Sequence, residues 1–157
     1  VAPGTVQYRS PSRRTLLTDA LVRSGQRQAG RVLSHEVDPA QPETLVRALA
    51  ELLPTGAVQR EDAAAWVAFG AAASTRPWLA DPYWEALQIM RTWVEGILTD
   101  ARKAGRMRVD LSPAEGARLV TAVVNGLTLD LLNAPPTESD EVIGQLRSGL
   151  GLILRGL

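Results

Sequence analysis

Apolar residues recur with a helical period between positions 81 and 105, and this is the most regular pattern in the chain. They alternate at spacings of four and three, at Tyr83, Leu87, Met90, Val94, Ile97, Ala101 and Ala104. This spacing predicts a helix of about six turns with one apolar face. Asp81 suits the N-cap, Pro82 the first helical position and Gly105 the end. Further apolar side chains widen the face, namely Trp84, Ile89, Trp93 and Leu98. We therefore expect this helix to be central, with other helices packed around it.

Five other segments show the same helical spacing, and none shows sustained alternation with a period of two. We expect helices over residues 12–36, 42–53, 61–74, 112–133 and 138–155. The fourth of these opens with Ser112-Pro113-Ala114-Glu115, a capping box with proline at the first helical position. Thr137 is the expected cap of the last helix. The sequence therefore predicts an all-α, multi-helix bundle.

The composition limits the possible chemistry. A chain of 157 residues fits one domain with a sizeable core, and it contains no cysteine and one histidine. Disulfides and thiolate metal sites are therefore ruled out, and we expect no metal and no cofactor. No apolar run reaches the ~18 residues of a membrane span, so we expect a cytoplasmic protein with no membrane partner. No acid–base pair, nucleophile or metal set is visible, so we do not expect an enzyme.

Charge is distributed unevenly along the chain, although the net charge is zero. Residues 1–31 hold six arginines and one acidic residue, a net charge of +5, and the remainder holds eleven basic and sixteen acidic residues, a net charge of −5. A basic end on an acidic body is typical of a segment that meets a polyanion. A solvated arginine face explains the charge equally well.

The last two predicted helices indicate a homodimer. Both are apolar and carry small residues, and the final one holds four glycines, Gly144, Gly149, Gly151 and Gly156. Because glycine is unfavourable within a helix, we expect a close backbone approach to offset its cost. Two such helices per subunit suit a four-helix interface made from two copies. The alternative is that both helices pack only on their own subunit. The expected interface residues are Val120, Val124, Leu127, Leu131, Ile143, Leu146, Leu150 and Ile153.

The first residues resemble the end of the DNA-binding domain of TetR-family transcriptional repressors. The similarity lies in Pro3-Gly4-Thr5-Val6-Gln7-Tyr8, the Ser12-Arg13 step and the Leu16-Leu17 pair. The body is similar to the BetI-type C-terminal domain of the same family, through Trp66 to Phe69, the break at Pro77, the helix ending at Ala104-Gly105, and Asn125-Gly126-Leu127. The resemblance implies a helix-turn-helix remnant over residues 1–20 and a ligand-binding and dimerisation domain over residues 21–157.

The resemblance also implies a set of DNA contacts, at Thr5, Gln7, Tyr8, Arg9, Ser12 and Arg13. Two positions depart from the family pattern, because Ser10 replaces an aromatic residue and Arg13 replaces a lysine. The first two helices of such a domain, about forty residues in that family, do not precede Val1, so we expect residues 1–157 alone to bind DNA weakly or not at all.

Six of the seven aromatic residues lie between positions 66 and 105, where we expect a small-molecule pocket. Its expected lining is Trp66, Phe69, Trp84, Leu87, Met90, Trp93, Asn125 and Thr128. Such a pocket would suit a small apolar or aromatic effector. The alternative is that these side chains only form core. We expect Arg91 to pair with Glu95 one turn on, and we assign His35 no role beyond a helix end or an interface.

The leading hypothesis is a ligand-responsive DNA-binding repressor, in which a small molecule bound in the helical body releases operator DNA allosterically. The alternative is a helical dimer that does not bind DNA and serves as an interaction module or a small-molecule carrier.

Overall fold

Six α-helices follow one another in the computed structural model, which describes residues 11–135 and 138–157. They are α1 (Arg13–Leu33), α2 (Glu43–Ala50), α3 (Ala57–Ala73), α4 (Pro77–Lys103), α5 (Pro113–Asn133) and α6 (Ser139–Leu150). The prediction of an all-helical protein is confirmed. Within these ranges the β-structure is limited to a single bridge between Met107 and Leu154. No helix of the described part is long and apolar enough to cross a bilayer.

Side-chain caps fix the starts of two helices where the sequence predicts them. The Ser12 hydroxyl accepts a hydrogen bond from the Thr15 amide at 3.2 Å, so α1 begins at Arg13. At α5, Ser112 accepts from the Glu115 amide at 3.2 Å, and the Glu115 carboxylate accepts from the Ser112 amide at 2.9 Å. These reciprocal bonds satisfy donors that every helix leaves free at its first turn.

Helix α4 begins at Pro77 rather than at Pro82, which corrects the predicted start. Pro77 occupies the first turn, and Pro82 lies inside the helix. The sequence contains two prolines that suit a first turn, and the chain uses the earlier one. Helix α3 also begins earlier than predicted, at Ala57 after an extended Gly56.

Helix α6 ends at Leu150, so the prediction that it runs to Arg155 is wrong. After Leu150 the chain turns and pairs with the segment that follows α4. The Arg108 amide donates to the Ile153 carbonyl at 3.0 Å, and the Arg155 amide donates to the Arg106 carbonyl at 2.7 Å. This pairing satisfies backbone groups that a longer helix would have used.

Two clusters of buried side chains form the core. The larger one joins α2, α4, α5 and α6, and its most buried members include Val46, Leu49, Val94, Leu98, Val120 and Leu146. The smaller one is centred on Leu21, Ala73 and Leu79, with Trp66, Phe69, Trp78 and Tyr83 packed against it. Helix α1 buries only four residues, the apolar Leu21 and Val32 and the polar Ser24 and Gln28. Its docking therefore depends on polar contacts as well as on apolar area.

Helix α4 packs against α1, α3 and α5, but it is not covered on all sides. Leu87, Val94 and Leu98 lie on its buried face. Trp84 and Ile89 are 53% and 71% exposed, so the expectation that neighbours surround the whole helix is wrong for these two side chains.

Candidate functional site

An aromatic contact joins the three helices α3, α4 and α5. The rings of Trp66 and Tyr83 stack with their centroids 4.4 Å apart and an angle of 27° between their planes. The Trp66 indole N–H donates a hydrogen bond to Asn125 Oδ1 at 3.0 Å. We call these three residues the aromatic joint. From the sequence, Trp66 and Asn125 were expected in one pocket and Tyr83 only on an apolar helix face.

Tyr83 also packs closely on α3 through Gly70. A Cβ atom at Gly70 would lie 2.8 Å from the Tyr83 hydroxyl oxygen, so the absence of a side chain there makes room for the phenol. Burial raises the pKa of Tyr83 above its ordinary value of 10.0, and the positive charge of Arg91 opposes that rise. The phenol of the aromatic joint is therefore harder to ionise than that of an exposed tyrosine.

Arg91 does not form the predicted ion pair with Glu95. Its Nε donates to the Thr121 hydroxyl at 3.3 Å, and its guanidinium carbon lies 5.1 Å from the centroid of the Trp84 ring. Among the residues that the structure describes, no carboxylate comes within 4.0 Å of this guanidinium. The side chain is thus held between α4 and α5 by a hydroxyl and an indole.

The remaining side chains predicted to line a pocket separate into different environments. Phe69 packs in the smaller core cluster, whereas Met90 and Trp93 pack against the larger one. Leu87 is 6% exposed, and Thr128 is buried with its hydroxyl bonded to the Val124 carbonyl at 2.7 Å. These residues belong to the core more than to a cavity wall.

A shallow surface concavity runs along the outer face of α4. Its volume is about 520 Å³, and its lining consists of Trp84, Glu85, Gln88, Ile89 and Thr92. Of the eight residues given above as the expected pocket lining, Trp84 borders this concavity and the other seven do not.

A buried carboxylate ties α1 to α3. Asp62 is 1% exposed and accepts hydrogen bonds from Ser24 Oγ at 3.2 Å, Arg27 Nε at 3.1 Å and Arg31 Nη1 at 2.8 Å, with a further contact from Arg27 Nη2. We call these four residues the Asp62 cluster. Burial acts to raise the pKa of Asp62, but the hydrogen bonds and charges of the two arginines outweigh it, so its pKa lies below 3.8.

The Asp62 cluster was not predicted from the sequence. The sequence feature that could have indicated it is the spacing of Ser24, Arg27 and Arg31. This spacing places three polar side chains on one face of a helix with few apolar residues. A polar face of this kind is also what a solvated helix shows, so the spacing alone does not predict a buried partner.

The ionic network continues to the end of α2 through Glu51. The Glu51 carboxylate lies 3.1 Å from His35 Nε2, 3.8 Å from Arg31 Nε and 3.2 Å from Gln59 Nε2. His35 therefore anchors the segment after α1 to the neighbouring helix.

The Asp62 cluster and the aromatic joint each include one residue of α3, and these two residues are one turn apart. Asp62 and Trp66 are four residues apart on α3 and share one face. Helix α3 therefore connects a contact to α1 with a contact to α4 and α5.

Most of the residues predicted to contact DNA lie outside the described residues, namely Thr5, Gln7, Tyr8 and Arg9. Ser12 caps α1, and Arg13 is exposed at its first position. Thr137, the predicted cap of the last helix, also lies outside the described residues.

The residues predicted to form a dimer interface are mostly buried within the protomer. Val120, Val124, Leu131, Leu146, Leu150 and Ile153 are each at most 9% exposed, while Leu127 and Ile143 are partly buried against the same core. The first six therefore pack within their own subunit and are not available as contacts to a second one. The close helix approach expected from glycine occurs at Gly149, where a Cβ would lie 2.7 Å from Val123 Cγ1, but Gly144 has no neighbour within 4 Å.

The described residues contain no cluster of three or more acidic or histidine side chains that is placed to hold a metal ion.

Solved structures share this fold over nearly the whole chain. A transcriptional regulator from Rhodococcus sp. RHA1 is 26% identical, with a TM-score of 0.79, and the match covers 98% of this chain and 79% of that one. A transcriptional regulator from Saccharomonospora viridis, solved in complex with choline, is 26% identical with a TM-score of 0.79, over 96% of this chain and 80% of that one. A TetR-family transcriptional regulator from Rhodococcus sp. shares the fold at 21% identity, with a TM-score of 0.79, over 98% of this chain and 81% of that one.

A comparison with curated proteins gives no match. Residues 41–155, more than half of the chain, match the family described as the C-terminal domain of the BetI-type transcriptional repressor. The resemblance inferred from the sequence is thereby confirmed. The chain belongs to the TetR family of transcriptional regulators, with a BetI-type C-terminal domain.

Proposed function

We propose that this protein is a ligand-responsive repressor, in which a small molecule bound beside the aromatic joint releases operator DNA. The observation that carries the proposal is the position of Asp62 and Trp66 one turn apart on α3. Through Trp66 the helix contacts Tyr83 and Asn125, and through Asp62 it holds two arginines of α1. A displacement of α3 is thus passed to α1.

The proposed mechanism is a shift between two packings of these helices. A ligand that binds one packing more tightly than the other shifts the equilibrium by its difference in affinity. Since Asp62 holds α1 through Arg27 and Arg31, a change in α3 changes the direction of α1 and of the residues before it. Two recognition helices in a dimer bind a palindromic operator only at a fixed spacing.

DNA contact is proposed for the basic start of the chain, through Thr5, Gln7, Tyr8, Arg9, Ser12 and Arg13. Phosphate contacts there add affinity that depends on salt concentration. In a protein with a complete helix-turn-helix domain, Arg9→Ala and Arg13→Ala should weaken operator binding and leave effector binding unchanged.

A small-molecule effector is supported by the choline complex of the Saccharomonospora viridis regulator. In this chain the indole and phenol rings at the aromatic joint and around it provide apolar, aromatic surface that the apolar part of a ligand can contact.

We further propose that the protein is a homodimer and that its interface lies on the exposed side of α5. Leu119, Ala122, Gly126 and Leu129 recur at spacings of three and four and are all exposed. Leu152, which is 68% exposed, lies beside Leu119 at a second concavity of about 300 Å³. We propose this surface as the interface in place of the residues predicted from the sequence, most of which are buried.

The test uses a protein with a complete helix-turn-helix domain and compares it with its Trp66→Phe variant in an operator-binding assay such as fluorescence anisotropy. Phenylalanine keeps an aromatic ring against Tyr83 but removes the indole N–H that reaches Asn125. We expect an effector to lower the operator affinity of the unchanged protein and to lower that of the variant much less. An effector that binds and leaves operator affinity unchanged in both would contradict the proposal. Absence of salt-dependent DNA binding would favour the helical carrier or interaction module instead.

A further inference from the structure

The guanidinium of Arg91 is held in place but has no negative partner among the described residues. Its Nε is bound to the Thr121 hydroxyl, and its plane lies near the Trp84 ring. In the described part of the chain it makes no ion pair; exposed arginines such as Arg118 make none either, but the Arg91 side chain is held by a hydroxyl and an indole. A guanidinium that is held between two helices and makes no ion pair with the described residues has less conformational freedom than a freely solvated surface arginine.

The terminal nitrogens of Arg91 remain open to a ligand. Only Nε is engaged by a side chain in the described residues. Among the described residues, the buried side-chain nitrogens without a hydrogen-bond partner are both on Arg31. The terminal nitrogens of Arg91 have no partner among these residues either and do not belong to the buried atoms, so they are not sealed from solvent. A guanidinium presents paired N–H donors at a spacing that matches the two oxygens of a carboxylate.

An apolar platform lies directly beside this cation. Trp84 is 53% exposed next to the guanidinium, and Tyr83 of the aromatic joint is the residue before Trp84 on α4. On α5, Thr121 and Asn125 are four residues apart, so the anchor of Arg91 and the anchor of Trp66 share one face. The fixed charge and the aromatic joint therefore lie along the same seam between α4 and α5.

We propose that Arg91 binds the carboxylate of the effector, whose apolar or aromatic body contacts Trp84 and the aromatic joint. This inference rests on the proposed function, since it names the chemical class of the effector for that domain. We therefore expect this site to bind choline poorly, because the quaternary ammonium would meet a guanidinium of like charge.

The experiment uses three probes with one shared body and different charges, namely 3-phenylpropanoate, 3-phenylpropan-1-ol and protonated 3-phenylpropylamine. Their affinities for the 157-residue chain are measured by isothermal titration calorimetry at pH 7.5, together with choline. A hydrogen bond to a charged group contributes more than a hydrogen bond between neutral groups. We therefore expect the affinity for the carboxylate to be at least about ten times the affinity for the alcohol. The amine and choline should bind more weakly than the alcohol.

Variants separate direct contact from the general electrostatic field. Arg91→Gln should reduce the affinity for phenylpropanoate to that for the alcohol and leave the alcohol unaffected, while Arg91→Lys should retain only part of the preference because it lacks the paired donors. Arg118→Gln is the matched control, since it removes the same charge from an exposed position three residues before Thr121. It should leave the preference unchanged.

The outcomes distinguish this inference from the proposed function. Equal binding of the three probes, preference for the amine or choline, loss of preference in Arg118→Gln, or no binding of any probe would overturn the role of Arg91. Carboxylate binding that depends on Arg91 but does not change operator affinity would support the site and contradict the repressor mechanism.

Discussion

Asp62 of α3 and Arg31 of α1 form an ion pair at 2.8 Å, although they are 31 residues apart in the sequence and the carboxylate is almost fully buried. Arg27, one turn earlier on α1, forms a second ion pair with the same carboxylate. Because α1 buries few apolar side chains, this charge cluster fixes how the helix lies on the body.

Asp62→Asn should therefore destabilise the protein. The change keeps the side-chain volume but removes the countercharge of Arg27 and, among the described residues, leaves Arg31 with only Glu51, at 3.8 Å. Breaking a fully buried pair costs roughly 3–5 kcal/mol, and we expect about 2–3 kcal/mol here because the Arg27 side chain is half exposed. Urea unfolding at pH 7 measures the difference. Asp110→Asn, which breaks an exposed pair with Arg108, is the control and should cost much less.

The contribution of Asp62 should decrease in acid. Its folded-state pKa is below the ordinary value of 3.8, so the unfolded chain takes up the proton first as the pH falls. The stabilisation is complete above that ordinary value and is lost as the pH falls through the lowered pKa. Urea unfolding at pH 7, 4 and 3 should show the difference between wild type and Asp62→Asn shrinking towards pH 3. A difference that stays constant would mean that the charge of Asp62 does not stabilise the fold.

Local signals explain which parts of the structure were predictable. The capping box at Ser112 predicted the start of α5 correctly, because both partners of the cap lie within four residues. The end of α6 was not predictable from local pattern, since it depends on pairing between Arg155 and Arg106. Local rules describe a helix end only where no distant segment competes for its backbone groups.

The candidate site was predictable to the extent that aromatic side chains cluster in the sequence. Trp66 and Asn125 were predicted to line one pocket, and the structure brings the two side chains into contact although they are 59 residues apart. Arg91 was assigned to the wrong partner because spacing along one helix favours Glu95, whereas the side chain contacts Thr121 of another helix. Asp62 was missed because its burial depends on arginines of α1, which no periodicity within α3 reveals.

The hydrogen bond between Trp66 and Asn125 should contribute to stability as a coupled pair. Trp66→Phe and Asn125→Ala each remove one partner, and we expect each to cost about 1 kcal/mol because the other polar group is left partly buried. A double-mutant cycle with Trp66→Phe/Asn125→Ala should give a coupling energy of about 0.5–1 kcal/mol. Strictly additive losses would show that the contact at 3.0 Å carries no net energy.

Glycines in open and in crowded positions should respond oppositely to alanine. A Cβ at Gly25 or Gly30 meets no atom within 4 Å, so Gly25→Ala and Gly30→Ala should each stabilise the protein by up to ~1 kcal/mol through helix propensity. A Cβ at Gly149 would lie 2.7 Å from Val123 Cγ1, and valine has little rotamer freedom with which to yield. Gly149→Ala should therefore destabilise by about 1–2 kcal/mol, as overpacking does. Thermal unfolding of the three variants decides the signs, and stabilisation by Gly149→Ala would show that α5 and α6 have room between them.

The exposed stripe of α5 should be the dimer interface. Leu119 and Leu129 are 45% and 48% exposed, and between them Gly126 has no atom within 4 Å of the position of a Cβ. Small residues between two leucines allow a second helix to approach closely and bury both leucines. Leu129→Glu places a charge in that contact and should convert a dimer into a monomer, as measured by size-exclusion chromatography with light scattering. Leu33→Glu, at a leucine of α1 that is 62% exposed, is the control and should leave the dimer intact. A dimer that survives Leu129→Glu at low micromolar concentration would place the interface on another face, and a monomeric wild type at that concentration would refute the dimer itself.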